Sequence, residues 1–421
     1  MINFLDILKL NTPKKKLLLG DGLWLLLQHG IKFLVGFFVT LYLARYLGPE
    51  EYGLFSLSIS YILLFSIFSE LGLTNILVRD FVSKKDTELI LSTSLILRTF
   101  GGFLSILILL LFLKIFQEDS ILLKSVIILS PIIIFKCFDS FNNFFQSLNK
   151  NKFVALATIF SILVGAIFTL TFMKLKKDYY YFISVYLFEF ILLSLCLLFF
   201  YIIFYKKLML RFSFKKAKEM LFESWPLIIA GASSVISTRI DQIFIGNMLS
   251  QNVLGNYSAA AKISEVWLIL PMIYGRVIYP SLVQKKTENQ NLYKTIVWKT
   301  ILLFFIVGIS GAGLITIFSD SLINILFGTK YDLASTYLSY YIWSTLPYFV
   351  LFIVSQLFYI EKIVQFGLIV SITSIVSNLT LNYFLIHLFG AKGAIIGTLI
   401  ATCLSYIITF VILRVKTNFF K

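Results

Sequence analysis

The strongest constraint on this chain is a recurrence: runs of about 20 mainly apolar residues return along its whole length, joined by connections too short to fold on their own. Coiled as helices, such runs match the hydrocarbon thickness of a bilayer. They can be placed at approximately 20–46, 52–79, 88–114, 120–147, 153–174 and 179–205, then at 224–248, 252–283, 294–318, 333–360, 363–389 and 392–415. With 59% hydrophobic and 14% charged residues and a mean hydropathy of +0.90, the 421-residue chain is more apolar than a soluble domain of its size can bury. The expected fold class is therefore an all-α polytopic membrane protein with about twelve spans.

The net charge of +16 raises nucleic acid as a partner. No basic block stands beside a soluble aromatic surface, however, so no nucleic-acid partner is expected. The charge follows membrane topology instead. With the amino terminus in the cytoplasm, most Lys and Arg fall on the cytoplasmic side, led by Lys206, Lys207, Arg211, Lys215, Lys216 and Lys218. Both termini are then cytoplasmic. Lys174, Lys176 and Lys177 fall on the wrong side, which marks that region as the place where a miscounted helix would show. Lys14, Lys15 and Lys16 precede the first run and no small-residue cleavage site follows it, so it reads as an uncleaved span. Cys137, Cys196 and Cys403 lie in separate runs, and His29 and His387 are far apart in sequence, which argues against a disulfide scaffold and a metal site.

The basic segment 206–223 divides the chain into an N-terminal six-helix lobe, 1–205, and a C-terminal one, 224–421. Interleaved with its basic residues are Leu208, Leu210, Phe212, Phe214 and Leu221, which suit either an interfacial segment on the anionic inner leaflet or an ordinary cytoplasmic loop. Traces of duplication relate the halves. At an offset of 202, Leu47, Gly53 and Ser56 match Leu249, Gly255 and Ser258; with one residue of drift, Val82, Lys84 and Lys85 match Val283, Lys285 and Lys286. A parallel repeat predicts two pseudo-symmetric lobes around a central cavity.

An ionisable residue at bilayer depth costs several kcal/mol unless paired or hydrated, so each is a site candidate. Lys32, Arg98, Lys136, Arg239 and Lys262 fall near mid-membrane, and Arg276 closer to the cytoplasmic face; Glu70, Asp139, Glu189, Asp241 and Glu265 are the acidic residues of the spans. Lys136 with Asp139, and Lys262 with Glu265, are three residues apart and can pair on one helical face. Arg239 and Asp241 are two apart and point in different directions. Lys32 and Arg98 have no acidic residue within a turn. Lys32, Arg98 and Arg239 are thus the leading candidates for facing a cavity. Glu70, Asp241 and Glu265 suit either ion coupling, by exchanging a proton or holding Na⁺, or a counter-ion role. Trp267, Tyr257 and Tyr274 suit sugar stacking or plain packing. Pro131, Pro226, Pro271 and Pro347 are expected to interrupt or start spans, Gly30, Gly36, Gly72, Gly231 and Gly275 to allow bends or close packing, and Gly393 with Gly397 to form a helix-packing face.

The join ARYLGPEEYGLFS, the later LGNYSAAAKISEVW, the segment SWPLIIAGASSVISTRIDQIFIG and FGAKGAIIGTLIA near the end resemble the polysaccharide-transporter family of O-antigen and lipid-linked oligosaccharide flippases. That family belongs to the multidrug/oligosaccharidyl-lipid/polysaccharide (MATE-like) exporter superfamily. The resemblance implies two six-helix lobes around a central cavity and alternating access. It also implies export of undecaprenyl-pyrophosphate-linked sugar repeats across the bacterial inner membrane, alongside polysaccharide assembly proteins. For such a cargo, Lys32, Arg98 and Arg239, with Lys262, Lys136 and Arg276, would replace lost hydration of the pyrophosphate with charge-assisted hydrogen bonds. Three alternatives stay open: a multidrug exporter of the superfamily, a peptidoglycan-precursor flippase, and a membrane sugar polymerase or ligase. The first favours an acidic cavity, the second typically has fourteen spans, and the third usually carries a large external loop. The sequence holds no nucleophile elbow, metal motif, Walker loop or dinucleotide fingerprint, so neither an enzyme nor a cofactor is expected.

Overall fold

The computed structural model of the chain describes residues 13–83, 86–117, 119–205 and 211–417; the side chains of 13–19 and of Arg276 lie outside that description. Lys84 and Lys85 of the repeat, and Lys206, Lys207, Leu208 and Leu210 of the basic segment, are likewise outside it. Every regular element among the described residues is a helix. Eleven continuous stretches are long and apolar enough to cross a membrane, the first running 63 residues from Gly20 to Val82. At ~1.5 Å per residue that stretch is far too long for a single crossing, and a kink divides it into two runs, each long enough for one. The reversal is at Gly48, whose φ of 76° and ψ of 174° lie outside the helical region. Only glycine adopts that φ without cost, and Pro49, with no N–H to lose, restarts the helix. Twelve segments of crossing length result among the described residues, with Asn151–Lys174 and Tyr179–Tyr205 as two separate helices. The misplaced Lys174, Lys176 and Lys177 therefore do not signal a miscount.

Several spans are assembled from shorter helices, the second among them, where Pro13–Glu70 gives way to Thr74–Val82. The fourth consists of Ser120–Leu129, Pro131–Phe135, a 3₁₀ turn at Lys136–Phe138 and Asp139–Ser147. The eighth is Gln251–Trp267 followed by Ile269–Glu288, and the tenth Ala334–Ser344 followed by Leu346–Ile360. Pro131, Pro271 and Pro347 each fall within three residues of a restart, because a proline removes one helical donor and crowds the preceding turn. Pro226, by contrast, is carried inside the unbroken helix Phe214–Met248. Helix starts are set locally: Asp119 Oδ1 accepts from Ile121 N at 2.8 Å, and Asn289 Oδ1 from Leu292 N at 3.0 Å. The first turn of Asn151–Lys174 is capped from another helix, by Asp21, whose Oδ1 accepts from Asn151 N at 2.6 Å.

The chain divides into two compact units, Met1–Leu43 with Phe65–Ile228, and Ala44–Leu64 with Ile229–Lys421. In the first unit a core of Leu73, Leu77, Phe141, Phe144, Phe145 and Tyr201 takes in Met220 from the start of the helix Phe214–Met248. The opposite face of that helical start carries exposed Phe214, Phe222 and Trp225. In the second unit Leu282, Val297, Val354 and Leu357 form one core, and Phe304, Phe349 and Ile353 another.

The second unit also contains a reciprocal backbone crossing. A Cβ on Gly53 would stand 2.1 Å from Gln251 O, and a Cβ on Gly255 1.8 Å from Pro49 O. Since 53 and 255, like 49 and 251, differ by 202, the contact is the same one made twice, the pattern of an isologous interface. The repeat read from the sequence thus meets itself at this point. Gly393 approaches the backbone of Leu385 in the same manner, which makes its face a packing face as expected. Gly30, Gly36 and Gly231 sit inside helices with nothing among the described residues within 4 Å of an added Cβ, so close packing does not require them.

Candidate functional site

In the first unit Lys32, Arg98 and Lys136 share electrostatic reach with Glu70, Asp139 and Glu189. Lys32 lies in the first span and its side chain is exposed. It interacts electrostatically with Glu189 and Asp139, and among the described residues it makes no ion pair. Arg98 is the opposite case. It is fully buried, donates from Nη1 to Ser140 Oγ and from Nη2 to Thr74 Oγ1, both at 3.4 Å, and leaves Nε without a partner. It interacts electrostatically with Asp139 and Glu70.

Lys136 is ion-paired with Glu70, at the end of the helix Pro13–Glu70, and not with Asp139 as its spacing suggested. The i,i+3 rule sees only neighbours on one helix, whereas the long lysine stem reaches across to a carboxylate 66 residues away. Glu189 had no assigned role in the sequence reading. Its carboxylate lies over Gly165, where a Cβ would stand 2.8 Å from Oε2.

At the end of this unit, ahead of the seventh span, Asp80 gathers Arg79 at 2.8 Å and Lys216 at 2.9 Å, and Arg79 reaches Glu223 at 2.6 Å.

In the second unit Arg239 Nη2 lies 3.4 Å from Glu265 Oε1, and Nη1 donates to Gln242 Oε1 at 3.5 Å. The expected Lys262–Glu265 pair is replaced by this one: Arg239 takes the carboxylate, and Lys262 keeps only a longer-range interaction with it. Asp241 is 1% exposed. Its carboxylate accepts from Tyr257 Oη at 2.5 Å and from Gln242 N at 2.7 Å. Ser60 Oγ completes the network by donating to Gln242 Oε1 at 2.9 Å. Gln242 and Ser60 were missed in sequence; only the adjacency of Gln242 to Asp241 inside an apolar run could have pointed to it. Arg276 belongs to the helix Ile269–Glu288, but its side chain is outside the described residues.

The aromatic candidates of this unit are occupied in packing. Tyr257 is fully buried on Asp241, Trp267 packs on Gly311 and Phe349, and Tyr274 lies 4.9 Å from the ring of Phe304. Three buried acceptor oxygens, Asn378 Oδ1, Asn382 Oδ1 and Thr398 Oγ1, lack a hydrogen-bond partner among the described residues.

Residues 18–286 match the family described as Polysaccharide biosynthesis protein, and residues 226–384 match MatE. The chain is 29% identical over 403 residues to "Lsg locus putative protein 1" of Haemophilus influenzae, covering 89% of this chain and 94% of that one. It is 22% identical over 351 residues to the "Putative O-antigen transporter" of Shigella flexneri, covering 76% and 78%. To the "Probable low-salt glycan biosynthesis flippase Agl15" of Haloferax volcanii it is 26% identical over 203 residues, 48% of this chain and 42% of that relative. Its fold is similar to an inward-facing MATE family multidrug transporter, with a TM-score of 0.70, 14% identity, and coverage of 93% and 97%. It is also similar to the lipid II flippase MurJ in an inward closed conformation, with a TM-score of 0.70, 20% identity, and coverage of 94% and 87%.

Proposed function

The chain belongs to the polysaccharide biosynthesis protein family, and from that premise we propose that it flips lipid-linked oligosaccharides, with undecaprenyl pyrophosphate bearing a sugar repeat as the cargo. Its setting is the bacterial inner membrane with both termini in the cytoplasm, its lobes 1–205 and 224–421, and its linker 206–223. The relatives named as glycan flippase and O-antigen transporter support this reading. The observation that carries it is Lys32: an exposed ammonium within a span, with no ion pair among the described residues. Acyl chains would charge several kcal/mol for that side chain, so it faces water or a cargo anion.

Lys262 plays the corresponding part in the second unit. Arg239 and Lys136 are held by Glu265 and Glu70, and a pyrophosphate can take the place of either carboxylate, bidentately at Arg239. Arg98 is a positioning residue that holds its neighbours from inside the core. Arg276 remains a headgroup candidate on its sequence position. Glu70 and Glu265 act as counter-ions released when cargo binds. Asp241 is the carboxylate that exchanges a proton or Na⁺. Contacts with polysaccharide assembly proteins follow from the same pathway.

Flipping of the native lipid-linked sugar by reconstituted protein tests the assignment. Lys32→Ala and Lys262→Ala are each expected to slow transport by about tenfold, the worth of one charge-assisted hydrogen bond, with Lys32→Arg recovering most of the rate. Normal transport by both alanine variants would overturn the site. Transport of an organic cation in place of the glycolipid would favour the multidrug reading instead.

A further inference from the structure

The fourth and tenth spans end in the same turn. After Asp139–Ser147, Asn149 takes a left-handed φ of 52° while Lys150 N donates to Phe145 O at 3.0 Å; after Leu346–Ile360, Lys362 takes a φ of 59° while Ile363 N donates to Phe358 O at 2.9 Å. These are corresponding ends of the two halves, and in this alignment Leu148 stands where the second half has Glu361. In the second unit the position is filled from within. Glu361 accepts from Lys286 Nζ at 2.8 Å and from Tyr293 Oη at 3.0 Å, which satisfies the local cation with a carboxylate of the chain.

The first unit lacks that carboxylate and has a cavity instead. A volume of about 440 Å³ is lined by Phe81, Phe144, Phe204, Tyr205 and Leu148, with Lys150 and the hydroxyls of Thr87 and Ser147 as its polar groups. The Lys150 ammonium sits 3.5 Å from the centroid of the Phe204 ring, and among the described residues it has no ion pair. A cation–π contact satisfies one face of an ammonium and leaves its other donors for an anion. The cavity is of ligand size, its aromatic wall suits an acyl chain, and among the described residues that line it the charged one, Lys150, lies at the end of a span, level with lipid headgroups.

We propose that this cavity is a site for an anionic phospholipid, with the phosphate on Lys150 and the chain along Phe144, Phe204 and Tyr205. Zwitterionic lipids carry their own counter-charge and fit the lone ammonium less well. Under the orientation proposed above, the lipid belongs to the cytoplasmic leaflet.

The test is native mass spectrometry of the full-length protein after delipidation and exposure to phosphatidylglycerol or phosphatidylcholine. Wild type is expected to retain phosphatidylglycerol selectively, and Lys150→Ala to hold it about fivefold less tightly, as for loss of one basic contact near a membrane surface. Leu148→Glu places in the first unit the carboxylate that the second already has. It is expected to displace the lipid while the melting temperature measured in detergent stays at or above that of wild type. Equal retention of the two lipids by wild type, or undiminished phosphatidylglycerol on a folded Leu148→Glu variant, would overturn the proposal.

Discussion

Arg98 and Lys32 carry the same charge, yet one is sealed in the first unit and the other is open. Their substitutions should separate accordingly. Arg98→Ala removes the buried cation that faces Asp139 and Glu70 and is expected to lower stability by roughly 3–5 kcal/mol, the cost of leaving a buried charge uncompensated. A thermal melt in detergent would show it. Lys32→Ala should melt like wild type, since its side chain holds no ion pair; a large loss of melting temperature there would mark Lys32 as structural. In sequence, most of the charges within apolar runs were legible because each interrupts such a run, although Asp21, buried near the start of the first, was passed over. Their pairing was not legible. Lys136 finds Glu70 and Arg239 finds Glu265 across helices, and a spacing rule reports only neighbours on the same helix.

Among the elements, the join around Gly48 does the most to organise the second unit. Tyr331 Oη donates to Ala44 O at 2.7 Å just before the turn, and Arg45 donates to the carbonyls of Asn324 and Ile325 at the end of Ser319–Leu326. Past the turn, Gly53 crosses Gly255 at backbone distance. Gly53→Ala and Gly255→Ala should each destabilise by about 1–3 kcal/mol, because the new methyl meets main chain that cannot rotate away. Gly313→Ala, with nothing within 4 Å of the added atom, is the matched control. Equal melting temperatures for all three would refute the crossing. Helix identity and the Gly-Pro join were readable from composition and local chemistry. The breaks at Lys136–Phe138 and Trp267 were readable only in part, since proline marks where a restart is easy but packing decides whether a span breaks there, as Pro226 demonstrates.

At the scale of the whole molecule, the twelve segments of crossing length and the duplication follow from apolar periodicity and one offset. The assignment of Ala44–Leu64 to the second unit does not, because it depends on contacts between residues some two hundred positions apart. Transport coupling is also a property of this scale. If Asp241 exchanges the coupling ion, flipping by wild type responds to an imposed pH or Na⁺ gradient and Asp241→Asn becomes indifferent to both; an unchanged response in that variant would exclude the role. The reciprocal glycine contact carries one more consequence, which concerns ancestry. In a shorter ancestor pairing with its own copy, a single codon would have set both glycines, and any substitution would have struck the crossing twice. Joining the copies in one gene releases the two positions to drift separately. In the present chain Pro49 faces one glycine where Gln251 faces the other, while the glycines themselves are alike.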